Sequence, residues 1–127
     1  MKLKTLLVFQ LLYVILCIIW NLISFLNLTS GKPTLAPANP LIDGSLALLY
    51  GLVLILGFRK KIKIFRILMA ISALSIGYIV CLNIINDISL YSSRFAWHCA
   101  IGINVFGLIF TVIAVLGKFK DNENLIN

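Results

Sequence analysis

The chain has 127 residues, of which 61% are apolar and 12% charged, with a net charge of +7 and a mean hydropathy of +1.08. Soluble domains carry about 25% charged and about 45–50% apolar residues, so a soluble fold of this size would leave large apolar patches in water. The same excess of apolar side chains excludes a disordered chain, and the class that remains is an integral membrane protein with little outside the bilayer.

A hydrocarbon core about 30 Å thick takes about 20 apolar residues in a helix. The first such segment is 5–28, preceded by Lys2 and Lys4. Its apolar run exceeds the 7–15 residues of a signal-peptide core, and the small-residue pair of cleavage type, Ala36 and Ala38, lies well beyond it. An uncleaved anchor is expected. Asn27-Leu28-Thr29 matches a glycosylation acceptor, but it sits at the membrane edge and reads as coincidence. On one narrow stripe of this helix lie Gln10, Cys17, Asn21 and Ser24.

Residues 29–40 contain Gly31, Pro33, Pro37 and Pro40 and read as an extended loop. The second span is 41–58, with Asp43 expected to cap its start and with Gly44, Ala47 and Gly51 on one face. Arg59, Lys60, Lys61, Lys63 and Arg66 follow as a basic loop. The third span, 64–86, has Ala70, Ala73, Gly77 and Cys81 on one stripe and Ser72, Ser75, Asn83 and Asn86 on the opposite one. Serines in such a place are expected to bond back to their own helix carbonyls, and the asparagines need headgroups, protein or water.

Ser92 or Ser93 is expected to cap the fourth span, 95–117, and Tyr91, Phe95 and Trp97 to mark an interface. Its seam holds Ala100, Asn104, Gly107, Thr111 and Ala114. A polar tail, 118–127, ends the sequence.

These spans predict an all-α membrane protein of one domain, 1–127, with four transmembrane helices in an antiparallel four-helix bundle. Barrel strands alternate apolar and polar residues, and 46–56 does not alternate. Lys2, Lys4, Arg59, Lys60, Lys61, Lys63, Arg66, Lys118 and Lys120 fall on one side, against Lys32 and Arg94 on the other. The positive-inside rule puts the richer side, with both termini, in the cytoplasm. Abundant Ile, Asn and Lys point to a bacterial inner (plasma) membrane. The basic loop also suits anionic lipid headgroups, whereas nucleic acid is not an expected partner because no reading motif accompanies it.

Helices in lipid associate through small residues and interhelical hydrogen bonds. The seams therefore point to a non-enzymatic accessory or assembly subunit, with a homo-oligomer or another membrane protein as partner. The alternative is an oligomeric transporter of a small solute, with Gln10, Asn21, Ser24, Asn104 and Thr111 around a polar cavity. No ionisable residue lies near a midplane, which argues against proton-driven transport. A third reading is thiol or metal chemistry by Cys81, Cys99 and His98, because Cys81 and Cys99 fall at similar depth on consecutive helices and an oxidising compartment permits a disulfide. No Cys-x-x-Cys pair is present, adjacent His98 and Cys99 point about 100° apart on a helix, and neither a cofactor nor a metal is expected.

Overall fold

A computed structural model describes residues 1–120. It contains four long helices, α1 (Leu3–Thr29), α2 (Pro40–Phe58), α3 (Ile62–Ile85) and α4 (Arg94–Leu116), with a short 3₁₀ turn at Ile88–Leu90. Each is long and apolar enough to cross a membrane. The expected spans agree with them to within about two residues, and of the expected tail, residues 121–127 lie outside the described residues.

Each helix packs on the next in chain order, and α4 returns to α1. The buried positions recur at close to 3.5 residues, the period that keeps one stripe facing a neighbour. On α1 they are Leu3, Leu6, Leu7, Gln10, Tyr13, Val14 and Ser24; on α4 they are Ala96, Ala100, Gly107, Thr111 and Ala114. The opposite faces expose large apolar side chains such as Leu74, Ile85 and Phe95. That pattern suits lipid and would fail in water.

Glycine sets how closely the helices approach. Along α2, a Cβ on Gly44 would meet Asn21, one on Gly51 would meet Val14, and one on Gly57 would come within 2.7 Å of Leu7 and 3.1 Å of the Phe65 ring. On α4, Gly107 lies against the Tyr13 ring so closely that no Cβ fits. Gly77 behaves differently from its expected role in close contact: nothing lies within 4 Å of its Cβ position.

One end of the molecule gathers the basic segments. Leu3 N–H donates to Lys120 C=O (2.9 Å) and Lys120 N–H to Met1 C=O (2.8 Å), which forms a parallel bridge. Arg66 directs Nε and Nη2 at the Val115 carbonyl (3.0 and 2.9 Å), where the negative end of the α4 dipole favours a cation. Gly117 then ends α4 in the left-handed conformation, φ 67°. The 30–39 and 86–93 segments meet at the other end, where Ser92 N–H donates to Leu35 C=O (3.2 Å).

Two caps clarify the helix starts. Ser93 caps α4 through Ala96 N–H (3.0 Å). At α2 the expected Asp43 cap is replaced by Asn39, whose Oδ1 accepts from Leu41 N–H (3.0 Å). Pro40 is pre-organised for the first helical position, so the helix starts one residue before the apolar run and Asp43 falls inside its first turn.

Candidate functional site

The polar residues of the four seams divide between two places. The first is a closed network inside the bundle. Gln10 Nε2 donates to Tyr50 Oη (2.9 Å) and to Met69 Sδ (3.2 Å). Tyr50 Oη and Thr111 Oγ1 are 2.7 Å apart, and Thr111 Oγ1 donates to the Gly107 carbonyl (2.6 Å). Thr111 has one hydroxyl hydrogen, so Tyr50 is the donor to Thr111 and the chain runs one way, from Gln10 to Tyr50 to Thr111 to Gly107. Gln10 Oε1 is buried without a partner among the described residues. This network ties α1, α2, α3 and α4 together and does not border open space apart from Tyr50.

The second place is a cleft of about 430 Å³. Its back wall comes from α1 (Tyr13, Cys17, Trp20, Asn21) and α4 (Ala100, Ile103, Asn104). Its sides come from α2, between Asp43 and Val53, and from α3, between Leu68 and Asn83. Leu46 and Leu49 on α2, and Ile71 and Ser75 on α3, are exposed while also lining the cleft. The cleft therefore opens sideways between α2 and α3. Ala36 and Ala38 of the connecting loop border its end. That loop is fastened by Ser24 Oγ, which accepts from Leu35 N–H (3.1 Å).

The second polar stripe of α3 finds its place here. Ser72, Ser75 and Asn83 line the cleft, Ser75 at its exposed side, whereas Asn86 does not border it. Ser72 donates to Leu68 C=O (2.9 Å) and Ser75 to Ile71 C=O (3.2 Å). Asn83 is buried; its Oδ1 accepts from Tyr91 Oη (2.5 Å) and its carbonyl accepts from Trp97 Nε1 (2.8 Å). Tyr91 and Trp97 thus tie the end of α3, whereas Phe95 stays exposed.

Of the residues expected around a polar cavity, Asn21 and Asn104 line the cleft, whereas Gln10 and Thr111 belong to the closed network and Ser24 fastens the loop. Ala47 and Ala100 from the small-residue seams also border the cleft. Ala70 and Ala73 are half-buried, and Ala114 is fully buried. Tyr13 and Tyr50 carry much of the polar geometry, and sequence reading passed over them. Their signal was available: a phenol within an apolar span needs a hydrogen-bond partner.

Cys17, Cys81 and Cys99 are free thiols, so the bond considered between Cys81 and Cys99 is not formed here. His98 is exposed, with its ring against that of Trp97 at 4.9 Å. Among the described residues no three His, Cys, Asp or Glu side chains cluster closely enough to hold a metal ion.

The class defined by this architecture is an all-helical protein with four helices able to cross a membrane. No protein-family model, curated protein or solved structure matches the chain.

Proposed function

We propose that the chain is a non-catalytic binding protein of the membrane, which takes a small amphiphilic molecule from the lipid into the cleft between α2 and α3. The observation that carries this reading is the cleft itself. Its volume of about 430 Å³ falls within the usual range for small-molecule sites, about 300–1,000 Å³. Its mixture of apolar walls and a few placed polar groups is also what such sites use. The small residues at Gly44, Gly51, Gly57 and Gly107 are occupied by contacts inside the bundle. Their use there favours a ligand-binding role over the assembly role expected from the seams alone. For a second copy or another membrane protein, Gly77 on α3 and Gly102 on α4 are small-residue positions that remain open.

In this reading the helices form an antiparallel bundle in a bacterial inner membrane, with both termini in the cytoplasm. The support is the gathering of Lys2, Lys4, Arg59, Lys61, Lys63, Arg66 and Lys118 toward one end, where a positive-inside orientation would have them. The loop end of the cleft, near Asp43, then faces the opposite side.

The test is native mass spectrometry of protein extracted from membranes with mild detergent. Wild type is expected to carry a bound small amphiphile. Ala47→Trp, which places an indole in the cleft, is expected to lose it while retaining its helical circular dichroism. Equal occupancy of wild type and the filled variant would overturn the reading.

A further inference from the structure

The polar wall of the cleft has a chemical bias. Asn21 Nδ2 donates to Cys17 C=O (2.8 Å), and Asn104 Nδ2 donates to Ala100 C=O (2.8 Å). Ser72 and Ser75 commit their hydroxyl hydrogens to Leu68 and Ile71 carbonyls. Tyr13 Oη donates to Asn104 Oδ1 (3.3 Å). A hydroxyl has one hydrogen and two lone pairs, so Ser72, Ser75 and Tyr13 have only lone pairs left to offer. Among the described residues the Asn21 side-chain carbonyl oxygen has no hydrogen-bond partner. Asn21 and Asn104 each retain a second N–H, and among the described residues Asn83 retains both, so the neutral groups of the wall offer donors as well as acceptors.

The bias comes from charge. Asp43 is the ionisable carboxylate of the cleft, and no Lys or Arg lines it. Among the described residues the Asp43 side chain has neither an ion pair nor a hydrogen bond. Trp20 also lines the cleft, and an indole face attracts cations. A carboxylate, an aromatic face and a set of oxygen lone pairs suit a group that is positively charged and carries only hydrogen-bond donors. An ammonium group has these properties, with three donors and no acceptor.

We propose that the cleft selects a lipophilic ammonium ion: a small molecule dissolved in the membrane, with an apolar chain or ring against Leu49, Val53 and Ile76 and its N–H groups on the Asp43 carboxylate. This rests on the proposed binding role of the cleft and adds the chemistry of its ligand. The limited volume favours a drug-sized amine over a diacyl lipid that bears an amine in its headgroup. Charge-assisted hydrogen bonds are roughly twice as strong as neutral ones, and the apolar walls strengthen them further.

The test uses the full chain in lipid nanodiscs made of phosphatidylcholine and phosphatidylglycerol, with empty nanodiscs as the background. Saturable binding is measured for radiolabelled dodecylamine at neutral pH and for dodecanol, its uncharged counterpart. Wild type is expected to bind the amine at least tenfold more tightly than the alcohol. Asp43→Asn is expected to weaken amine binding to the level of the alcohol and so remove that preference, and Asp43→Glu to keep much of it. Ala47→Trp should abolish saturable binding of both.

If amine and alcohol bind equally, or Asp43→Asn retains the preference, the ammonium assignment fails while the cleft reading stands. Absence of saturable binding by either compound removes both. Displacement of dodecylamine by phosphatidylethanolamine included at a few molecules per protein would assign the ammonium to a lipid headgroup and overturn the small-molecule source.

Discussion

Gly107→Ala is the sharpest probe of the packing that holds the back wall of the cleft. The added methyl group would fall among the Tyr13 ring carbons; of the three nearest, even Cδ2 lies only 2.6 Å away. Carbon atoms in contact rest about 3.5–4.0 Å apart, so the ring or the helix must retreat by roughly 1 Å. Retreat is resisted on two sides: the Tyr13 ring meets Tyr50 edge-on at 5.4 Å, and its hydroxyl bonds Asn104. Overpacking of this kind typically costs about 1–3 kcal/mol, and loss of one interhelical hydrogen bond adds about 0.6 kcal/mol in a membrane protein. The expected destabilisation is about 3 kcal/mol, or about a hundredfold in the folding equilibrium. Gly102→Ala on the same helix is the control, because nothing lies within 4 Å of its Cβ position; it should be neutral or slightly stabilising, since alanine favours helix over glycine. Unfolding by dodecyl sulfate in mixed micelles, followed by helical circular dichroism, compares the two. A difference below about 1 kcal/mol would refute the account of Gly107, because typical overpacking alone costs at least that much.

Three further outcomes are expected. Gln10→Leu removes a buried acceptor that lacks a partner and should change stability by less than about 1 kcal/mol, because an orphaned buried group costs about what its lost hydrogen bonds contribute; a larger loss in the same assay would mean that Oε1 is satisfied. Titration with a maleimide in denaturant, without reductant, should count three free thiols, and a count of one would indicate a Cys81–Cys99 bond. Asp87 is held below the usual carboxylate range by the Ser89 backbone N–H, which donates to it. A depressed folded value stabilises the turn above the unfolded value of about 3.9, and that stabilisation is lost as pH falls through the folded value. Amide exchange at Ser89 should therefore accelerate relative to neighbouring amides as pH is lowered through that window, and Asp87→Asn should remove this dependence.

Much of the architecture was legible because it rests on local chemistry. Lipid requires every backbone group in a span to be satisfied within the helix, so length and apolarity are enough to locate all four helices. Ser72, Ser75 and Ser93 follow equally local rules, and each makes the bond its position implies. Asp43 misled because a carboxylate near a helix start resembles a cap; Asn39 and Pro40 begin the helix earlier and leave Asp43 for the cleft.

The site itself depends on rotation and depth between helices. Gln10, Asn21 and Ser24 share a stripe of α1, yet they end in a closed network, an open cleft and a loop anchor. A stripe tells which side is inward but not which neighbour lies there. Tyr13 and Tyr50 were hidden for another reason. Their rings count toward the apolar run, while their hydroxyl groups make the decisive bonds only with residues far along the chain, Asn104 and Thr111.

The bridge between Lys2 and Lys120 makes the polypeptide almost circular within the described residues. Positions this close permit a rearranged gene product in which residue 120 is joined back to residue 1 through a short spacer and the break is moved to the three-residue turn between α2 and α3. Such a permuted chain would begin with α3 and finish with α2, keep every helix beside its present neighbours, and leave the break at the same end of the molecule as the bridge between Lys2 and Lys120. The order in which the hairpins are synthesised could then be exchanged without altering the architecture that they build.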